Sequence, residues 1–109
     1  MFERLKKLFR PVPDRRRNAR IYDRPLLLLI EGYEYKTLDW SLSGFRIAAF
    51  HRPMTRLERF DGMIGAIDGE GRGEFTAEVA RIAANGEIGA RFLEVSSAKF
   101  AAMSRQRAG

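Results

Sequence analysis

Cysteine is absent from this sequence of 109 residues, and histidine occurs only once, as His51. The absence of cysteine excludes disulfide bonds, thiolate metal sites and cysteine nucleophiles. With one histidine and no cysteine, neither a recognisable spacing of transition-metal ligands nor a Ser-His-Asp arrangement can be traced. The sequence therefore predicts no metal site, no cofactor and no catalytic activity of its own.

Long apolar runs are also lacking. The longest strongly apolar run, residues 26–30, is much shorter than the roughly 20 residues that cross a bilayer. The first ten residues, MFERLKKLFR, mix charges with apolar side chains and contain no small-residue cleavage site, so they do not resemble a secretory signal. We therefore expect a cytoplasmic protein without a transmembrane segment.

Basic charge is abundant in the chain. Twenty Lys and Arg residues against fourteen Asp and Glu residues give a formal net charge of +6 at pH 7. This surplus favours an anionic partner, such as a nucleotide, a nucleic acid or an acidic membrane surface. The length allows one compact domain and no second effector domain, so we expect any output to pass through a partner in trans.

The N-terminal segment has a different pattern from the rest of the chain. Phe2, Leu5 and Phe9 lie on one helical stripe among basic residues, which predicts a short basic amphipathic helix over the first ten residues. Prolines at 11 and 13 cannot continue it, and a charged arm follows up to Arg20. We assign residues 1–14 to this helix and its proline linker, and residues 15–109 to the folded domain.

Short β-type runs separated by glycine-containing turns begin at residue 25, a pattern typical of a barrel or a sandwich. Ser96 and Ser97 are good N-cap residues, and the alanine-rich stretch up to Arg107 predicts a helix with one apolar side. The predicted strands are 25–31, 33–39, 44–50, 62–68, 73–83 and 87–95.

Two motifs contain residues suited to binding a nucleotide. Arg16 and Arg20 form R-x-x-x-R, and nineteen positions after Arg20 begins the D-x-S-x-x-G motif of Asp39, Ser41 and Gly44. Guanidinium groups can fork onto phosphate or onto guanine O6 and N7, and they can stack on a base. The Asp39 carboxylate accepts from N–H donors, the Ser41 hydroxyl can donate or accept, and Gly44 permits close backbone approach or a positive φ.

The alternation of side chains along an extended segment separates these polar residues from their apolar neighbour. Asp39 and Ser41 are predicted to share one face of a strand, whereas Trp40 points to the other face and packs inside the domain. The D-x-S-x-x-G segment is thus expected to present a polar face for a ligand.

In this order and at this spacing, the two motifs resemble the paired signature of PilZ domains, which are bacterial receptors for cyclic di-GMP. The segments GFRI at 44–47 and IGARF at 88–92 are similar to core strands of that family, so the resemblance covers roughly residues 15–100. It implies an all-β fold, a six-stranded antiparallel PilZ-type β-barrel with a C-terminal α-helix and a short N-terminal basic helix or arm. It also implies that Arg16, Arg20, Asp39, Ser41 and Gly44 bind cyclic di-GMP.

Arg15 extends the predicted site. Cyclic di-GMP can form an intercalated pair with four phosphate charges, and an arginine immediately before the first motif suits such a pair. We therefore predict that Arg15 also binds the ligand and that two ligand molecules bind per protomer. Because the arm lies between the N-terminal helix and the first strand, binding is expected to order the arm and so signal to an unidentified effector protein.

Two other functions fit parts of the sequence. A small basic β-barrel could bind single-stranded nucleic acid, although Asp39 would repel a phosphate backbone and no specific nucleic-acid partner is predicted. A peripheral membrane adaptor could use the N-terminal helix, but ten residues with few apolar side chains would anchor weakly.

Overall fold

The structure, a computed structural model, describes residues 9–11, 20–65 and 71–108, with side chains at 20–65 and 71–105. The described residues form one antiparallel sheet and a C-terminal helix. The sheet order is β3-β2-β6-β7-β8-β5-β4, and β1 pairs with β8 beyond the end of β5. The elements are β1 (Phe9–Pro11), β2 (Leu27–Ile30), β3 (Tyr33–Lys36), β4 (Asp39–Ser41), β5 (Gly44–Ile47), β6 (Arg59–Ile64), β7 (Gly73–Ile82), β8 (Ile88–Ser96) and α1 (Ser97–Ala108).

The predicted class, an all-β antiparallel fold with a C-terminal helix, is confirmed, but the predicted number of six strands is wrong. The expected strand over 33–39 is divided into β3 and β4. At the division, the Thr37 side chain accepts a hydrogen bond from Leu26 N (2.9 Å), and Leu38 N donates to Arg46 O (2.7 Å). The backbone therefore stops pairing beside β2 and starts pairing beside β5 within two residues. A pattern of apolar residues does not reveal such a change of partner.

Strand β6 starts three residues before its predicted position. Leu57 has a positive φ of 70°, and its N–H donates to Val79 O (2.8 Å), so pairing with β7 is established before Gly62 is reached. The strand then ends at Ile64, and residues 66–68 of the predicted strand lie outside the described residues. The remaining predicted strands correspond to β2, β5, β7 and β8 with shifted ends.

The predicted N-terminal helix is wrong at its C-terminal end, and its first eight residues lie outside the described residues. Phe9 and Arg10 belong to β1, where Phe9 is opposite Ser96 and Arg10 is opposite Val95. This part of β8 extends beyond the end of its pairing with β5, so its backbone groups have a partner only if another strand is added. Backbone pairing here outweighs the weak helical preference of a short segment.

The sheet curls around an apolar core that contains a cluster of four phenylalanines. Phe45 packs edge to face against Phe75, with ring centroids 5.8 Å apart, and the Phe60 and Phe92 rings complete the cluster. Edge-to-face contact is a favoured geometry for aromatic rings. The other inward residues are mainly aliphatic: Leu28, Ile30, Ile47, Ile64, Val79, Ile88 and Val95.

The C-terminal helix α1 covers one end of this core, as its sequence predicted. Met103 is fully buried against the core cluster and Phe100 is half-buried. The Asn85-Gly86 turn, in which Gly86 has a positive φ of 95°, joins β7 to β8. Within the described parts of the chain, no helix has the length and apolar character needed to cross a membrane.

Candidate functional site

An isolated backbone bridge brings the two sequence motifs together. Ile21 N donates to Trp40 O (2.6 Å), and Trp40 N donates to Ile21 O (2.8 Å), so the residue before Ile21 lies beside β4. Because neighbouring positions on paired segments alternate in direction, Arg20 lies on the same side as Asp39 and Ser41. Residues nineteen positions apart in sequence thus become direct neighbours.

Asp39 joins two arginines in what we call the Asp39 centre, consisting of Arg20, Asp39 and Arg46. Arg20 Nε donates to Asp39 Oδ1 (3.1 Å), and Arg20 Nη2 donates to the same oxygen. Arg46 Nε and Nη2 donate to Asp39 Oδ2 at 2.9 and 2.7 Å. Arg46 is held from its other side by Glu87, whose Oε1 accepts from Arg46 Nη1 (2.9 Å).

The carboxylate of the Asp39 centre has little accepting capacity left. An ionised carboxylate offers about four lone-pair positions, and the two arginines direct four N–H groups at Asp39. Each guanidinium commits a third donor elsewhere, Arg20 to Ser41 and Arg46 to Glu87, which leaves two of its five donors. The centre can therefore accept anions at its arginines more readily than N–H donors at Asp39.

Burial and charge act in opposite directions on Asp39. Its side chain is 13% exposed, and this partial burial raises the pKa of Asp39, but the hydrogen bonds from Arg46 and Arg20 outweigh it and the net pKa is lowered. Asp39 is therefore ionised at neutral pH. The three residues of the centre together carry one surplus positive charge, which the Glu87 carboxylate beside Arg46 offsets.

Ser41 lies beneath Arg20 and is only 1% exposed. Its hydroxyl accepts from Ser43 N (3.1 Å), shares a hydrogen bond with Ser43 Oγ (2.9 Å) and meets Arg20 Nη1 at 3.4 Å. These contacts hold the turn between β4 and β5 and support the guanidinium of Arg20. A direct contact between Ser41 and a ligand stays a prediction.

Gly44 has a structural reason for being glycine. A Cβ at this position would lie 2.2 Å from the backbone oxygen of Ala90, so any side chain would displace β8 from β5. Its φ is not among the positive values, which among the described glycines are those of Gly32 and Gly86. The backbone of β8, rather than a turn, explains this position of the motif.

The expected alternation along the second motif is present. Trp40 is almost fully buried, and its Nε1 donates to Arg24 O (2.7 Å), which confirms that it packs inside the domain. Asp39 and Arg46 are opposite each other on the outer face of β4 and β5. Arg15 and Arg16, the other predicted ligand-binding residues, lie outside the described residues.

Arg46 and Glu87 were not predicted as site residues. A signal for Arg46 was present, because a two-residue turn at 42–43 pairs Ser41 with Gly44 and therefore Asp39 with Arg46. Glu87 had no local signal, since it reaches Arg46 from a turn forty-one positions later in the sequence.

Comparison of the chain with known protein families and with curated proteins finds no match. The geometry of the Asp39 centre and the sequence motifs therefore carry the functional argument.

Proposed function

We propose that this protein is a receptor that binds cyclic di-GMP on the outer face of β4 and β5. The ligand-binding residues in this proposal are Arg15, Arg16, Arg20, Asp39, Ser41 and Gly44. The observation that carries the proposal is the contact of Arg20 with Asp39 and Ser41, which joins the two motifs that resemble the PilZ signature.

The chemistry of this face suits an anionic dinucleotide. Arg20 and Arg46 are each a little under half exposed, so their remaining donors can reach a ligand. Guanidinium groups can bind phosphate oxygens or the O6/N7 edge of guanine, and both are acceptors. Asp39 and Ser41 hold Arg20 in a fixed position, which reduces the conformational entropy lost when the ligand binds.

Binding of guanine N–H donors to Asp39 requires an exchange of partners. Since four N–H groups already point at the carboxylate, one arginine must release it before a guanine edge can bind there. Arg46 is the residue that we expect to move, because Glu87 offers it a second carboxylate (2.9 Å). Arg20 then stays on Asp39 and contacts the ligand.

The proposed signal passes from the site to the N-terminal segment. Arg15 and Arg16 lie in the sequence between β1 and Arg20, so a ligand that contacts them also fixes where the chain enters the site. We propose that this ordering is read by an effector protein in trans in the cytoplasm, and that two ligand molecules bind per protomer. Hydrogen exchange over residues 2–20, measured with and without saturating ligand, tests the proposed ordering of the N-terminal segment. Unchanged protection throughout would refute it.

Titration calorimetry with three ligands tests the proposed function itself. The purified chain is titrated with cyclic di-GMP, with GTP and with a short single-stranded oligonucleotide. We expect binding of cyclic di-GMP at least tenfold tighter than that of GTP. Binding of the oligonucleotide alone would instead support a single-strand-binding barrel, and retention on anionic vesicles without any nucleotide binding would support a membrane adaptor.

A further inference from the structure

A second cluster on the outer face repeats the arrangement of the Asp39 centre. Glu78 on β7 lies between Arg59 on β6 and Arg91 on β8, and we call these three residues the Glu78 centre. Arg59 Nε lies 3.3 Å from Glu78 Oε2, and Arg91 Nη2 donates to Glu78 Oε1. The carboxylate is 9% exposed and its arginines are 70% and 49% exposed, so here too two exposed guanidinium groups flank a buried carboxylate.

The strand register places the two centres side by side. Arg46 of the Asp39 centre is opposite Gly89, and Arg91 of the Glu78 centre is opposite Gly44. Arg46 and Arg91 are therefore diagonal neighbours on adjacent strands, with Cα atoms roughly 7–8 Å apart. Long side chains can bridge such a distance, and a single ligand can contact both.

Two glycines, Gly44 and Gly89, lie between the centres and contribute no side chain there, and we call them the glycine floor. Packing requires glycine at position 44, but not at 89, where a Cβ would lie 3.7 Å from Arg81 Cβ and 3.9 Å from Arg46 Cγ. These are ordinary contact distances, so the fold permits a side chain at position 89. The neighbouring strands therefore impose glycine at position 44 but not at position 89.

The Glu78 centre keeps more free donors than the Asp39 centre. Each of its arginines commits one N–H to Glu78, out of five per guanidinium. The hydrogen bond from Arg91 lowers the pKa of Glu78, which keeps the carboxylate ionised and the arginines in place at neutral pH. The three residues of the Glu78 centre carry one surplus positive charge, as do those of the Asp39 centre before Glu87 is counted.

The cationic area has a definite limit on the side away from the Asp39 centre. The next row across the strands contains Asp61, Thr76 and Glu94, which are register partners of one another. Asp61 accepts from Thr76 Oγ1 (2.8 Å), and Glu94 is exposed. Anionic groups are repelled from this row, so an anion at the Glu78 centre has to lie towards the glycine floor.

We propose that the Glu78 centre is a second subsite for a phosphodiester group, joined to the Asp39 centre across the glycine floor. The inference rests on the proposed function, because it takes cyclic di-GMP as the ligand. A cyclic dinucleotide carries two phosphodiester groups separated by one nucleoside. One phosphodiester group contacts each centre, and the ligand ring lies over the floor. The sequence gives no sign of this subsite, because its three members come from three different strands.

Titration calorimetry on four variants tests the subsite. Arg59→Gln and Arg91→Gln each remove one guanidinium, and Gly89→Leu fills the floor. Arg72→Gln is the charge-matched control, because Arg72 immediately precedes β7 and lies roughly 20 Å from Glu78 in the strand direction. Each is titrated with cyclic di-GMP and with inorganic tripolyphosphate. We expect the first three variants to bind cyclic di-GMP roughly tenfold or more weakly than wild type, the arginine variants through the loss of a charge-assisted contact and Gly89→Leu through steric exclusion of the ligand ring. Arg72→Gln should stay within about twofold.

The outcomes separate this inference from the proposed function. If Arg20→Ala abolishes cyclic di-GMP binding while Arg59→Gln and Gly89→Leu bind like wild type, the second subsite is wrong and the proposed function stands. If wild type binds no cyclic di-GMP, the proposed function fails. In that case, tripolyphosphate binding that Arg59→Gln loses and Arg72→Gln keeps would still support an anion subsite, and no such binding would overturn it. Arg59 is mostly exposed, so its variant stays informative if Arg91→Gln unfolds.

Discussion

Two ion-pair networks at different places in the fold contain the same chemical groups in opposite proportion. At the Asp39 centre, one carboxylate lies between two guanidinium groups. In what we call the Arg52 centre, Arg52 lies between Glu31 and Glu58, with Nη2 at 2.8 Å from Glu31 Oε2 and 2.9 Å from Glu58 Oε2. Counted over its three residues, the Asp39 centre has one surplus positive charge, which Glu87 offsets at Arg46, and the Arg52 centre has one surplus negative charge.

The comparison shows that the shared member of a network decides what the network can bind. A buried carboxylate shared by two arginines positions them while their remaining donors face outward, which suits an anion. An arginine shared by two carboxylates has its charge fully compensated, and His51 Nε2 adds a further contact to Glu31 Oε1 (2.8 Å). The Arg52 centre therefore stabilises the turn between β2 and β3 and offers nothing to an anionic ligand.

Among the variants that test this difference between the two networks, we expect Arg20→Ala to have the largest effect on ligand affinity. Arg20→Ala removes a guanidinium that contacts both motifs, and the loss of a charge-assisted contact costs about 1.5–3 kcal/mol, or roughly ten- to a hundredfold in affinity. Calorimetry with cyclic di-GMP measures this. Arg52→Ala removes the same charge from the other network and should change the affinity by less than about twofold. Equal weakening by both variants would mean that net charge, rather than the Asp39 centre, governs binding.

The number of bound ligands should respond to Arg15. We expect two cyclic di-GMP molecules per protomer in the wild type, because several guanidinium groups at 15–17 can compensate the charge of an intercalated pair. Arg15→Ala should lower the calorimetric ratio towards one, while Arg72→Ala should leave it unchanged. A one-to-one ratio for the wild-type protein at saturating ligand would end this idea.

The Arg52 centre should be visible in the acid stability of the protein. The hydrogen bonds from Arg52 and His51 lower the pKa of Glu31 to about 2 from its ordinary 4.5. Because the folded-state pKa is the lower one, ionised Glu31 stabilises the fold fully above the ordinary pKa, and this contribution is lost progressively as the pH falls from 4.5 to about 2.

Urea unfolding of wild type and Glu31→Gln at about pH 7 and about pH 3 tests whether ionised Glu31 stabilises the fold. The wild-type midpoint should fall more between the two conditions than the midpoint of the variant, which has no carboxylate to protonate at this position. Parallel changes in the two proteins would show that Glu31 does not contribute to acid stability.

Part of the Asp39 centre could be predicted from sequence because its signals are local. The alternation of side chains predicted which face of the strand Asp39, Trp40 and Ser41 each occupy. The short turn at 42–43 fixes the register that pairs Asp39 with Arg46. The meeting of Arg20 with Asp39 required the resemblance to a known family, because one isolated bridge produces it. No alternation within a single strand predicts such a contact.

The Glu78 centre could not be predicted, because it depends on the register of three strands. Its pairing of Glu78 with Arg91 lies between two register shifts of the β7–β8 ladder, at Thr76/Ala77 and at Val79/Arg81, whereas its pairing of Arg59 with Glu78 lies in the regular β6–β7 ladder. A shift of one residue moves a side chain to the opposite face of a sheet, so an unrecognised bulge changes which charges meet. Strand β1 escaped prediction for a related reason, since its partner residues lie at the far end of the chain.

We expect the smallest effect on ligand affinity from a substitution of Glu87, which removes a negative charge beside the Asp39 centre instead of a positive one. Glu87 holds Arg46 through an exposed pair (2.9 Å), and such pairs contribute about 0–1 kcal/mol to stability, so Glu87→Gln should fold normally. Removing this carboxylate frees a donor of Arg46 and increases the positive surplus, so cyclic di-GMP should bind about twofold more tightly at low salt, with no gain at high salt. Glu58→Gln makes the same change at the Arg52 centre and should leave the affinity unchanged. Weaker binding by Glu87→Gln would instead mean that Glu87 positions Arg46 for the ligand, and an equal gain in Glu58→Gln would mean that the two networks do not differ in what they bind.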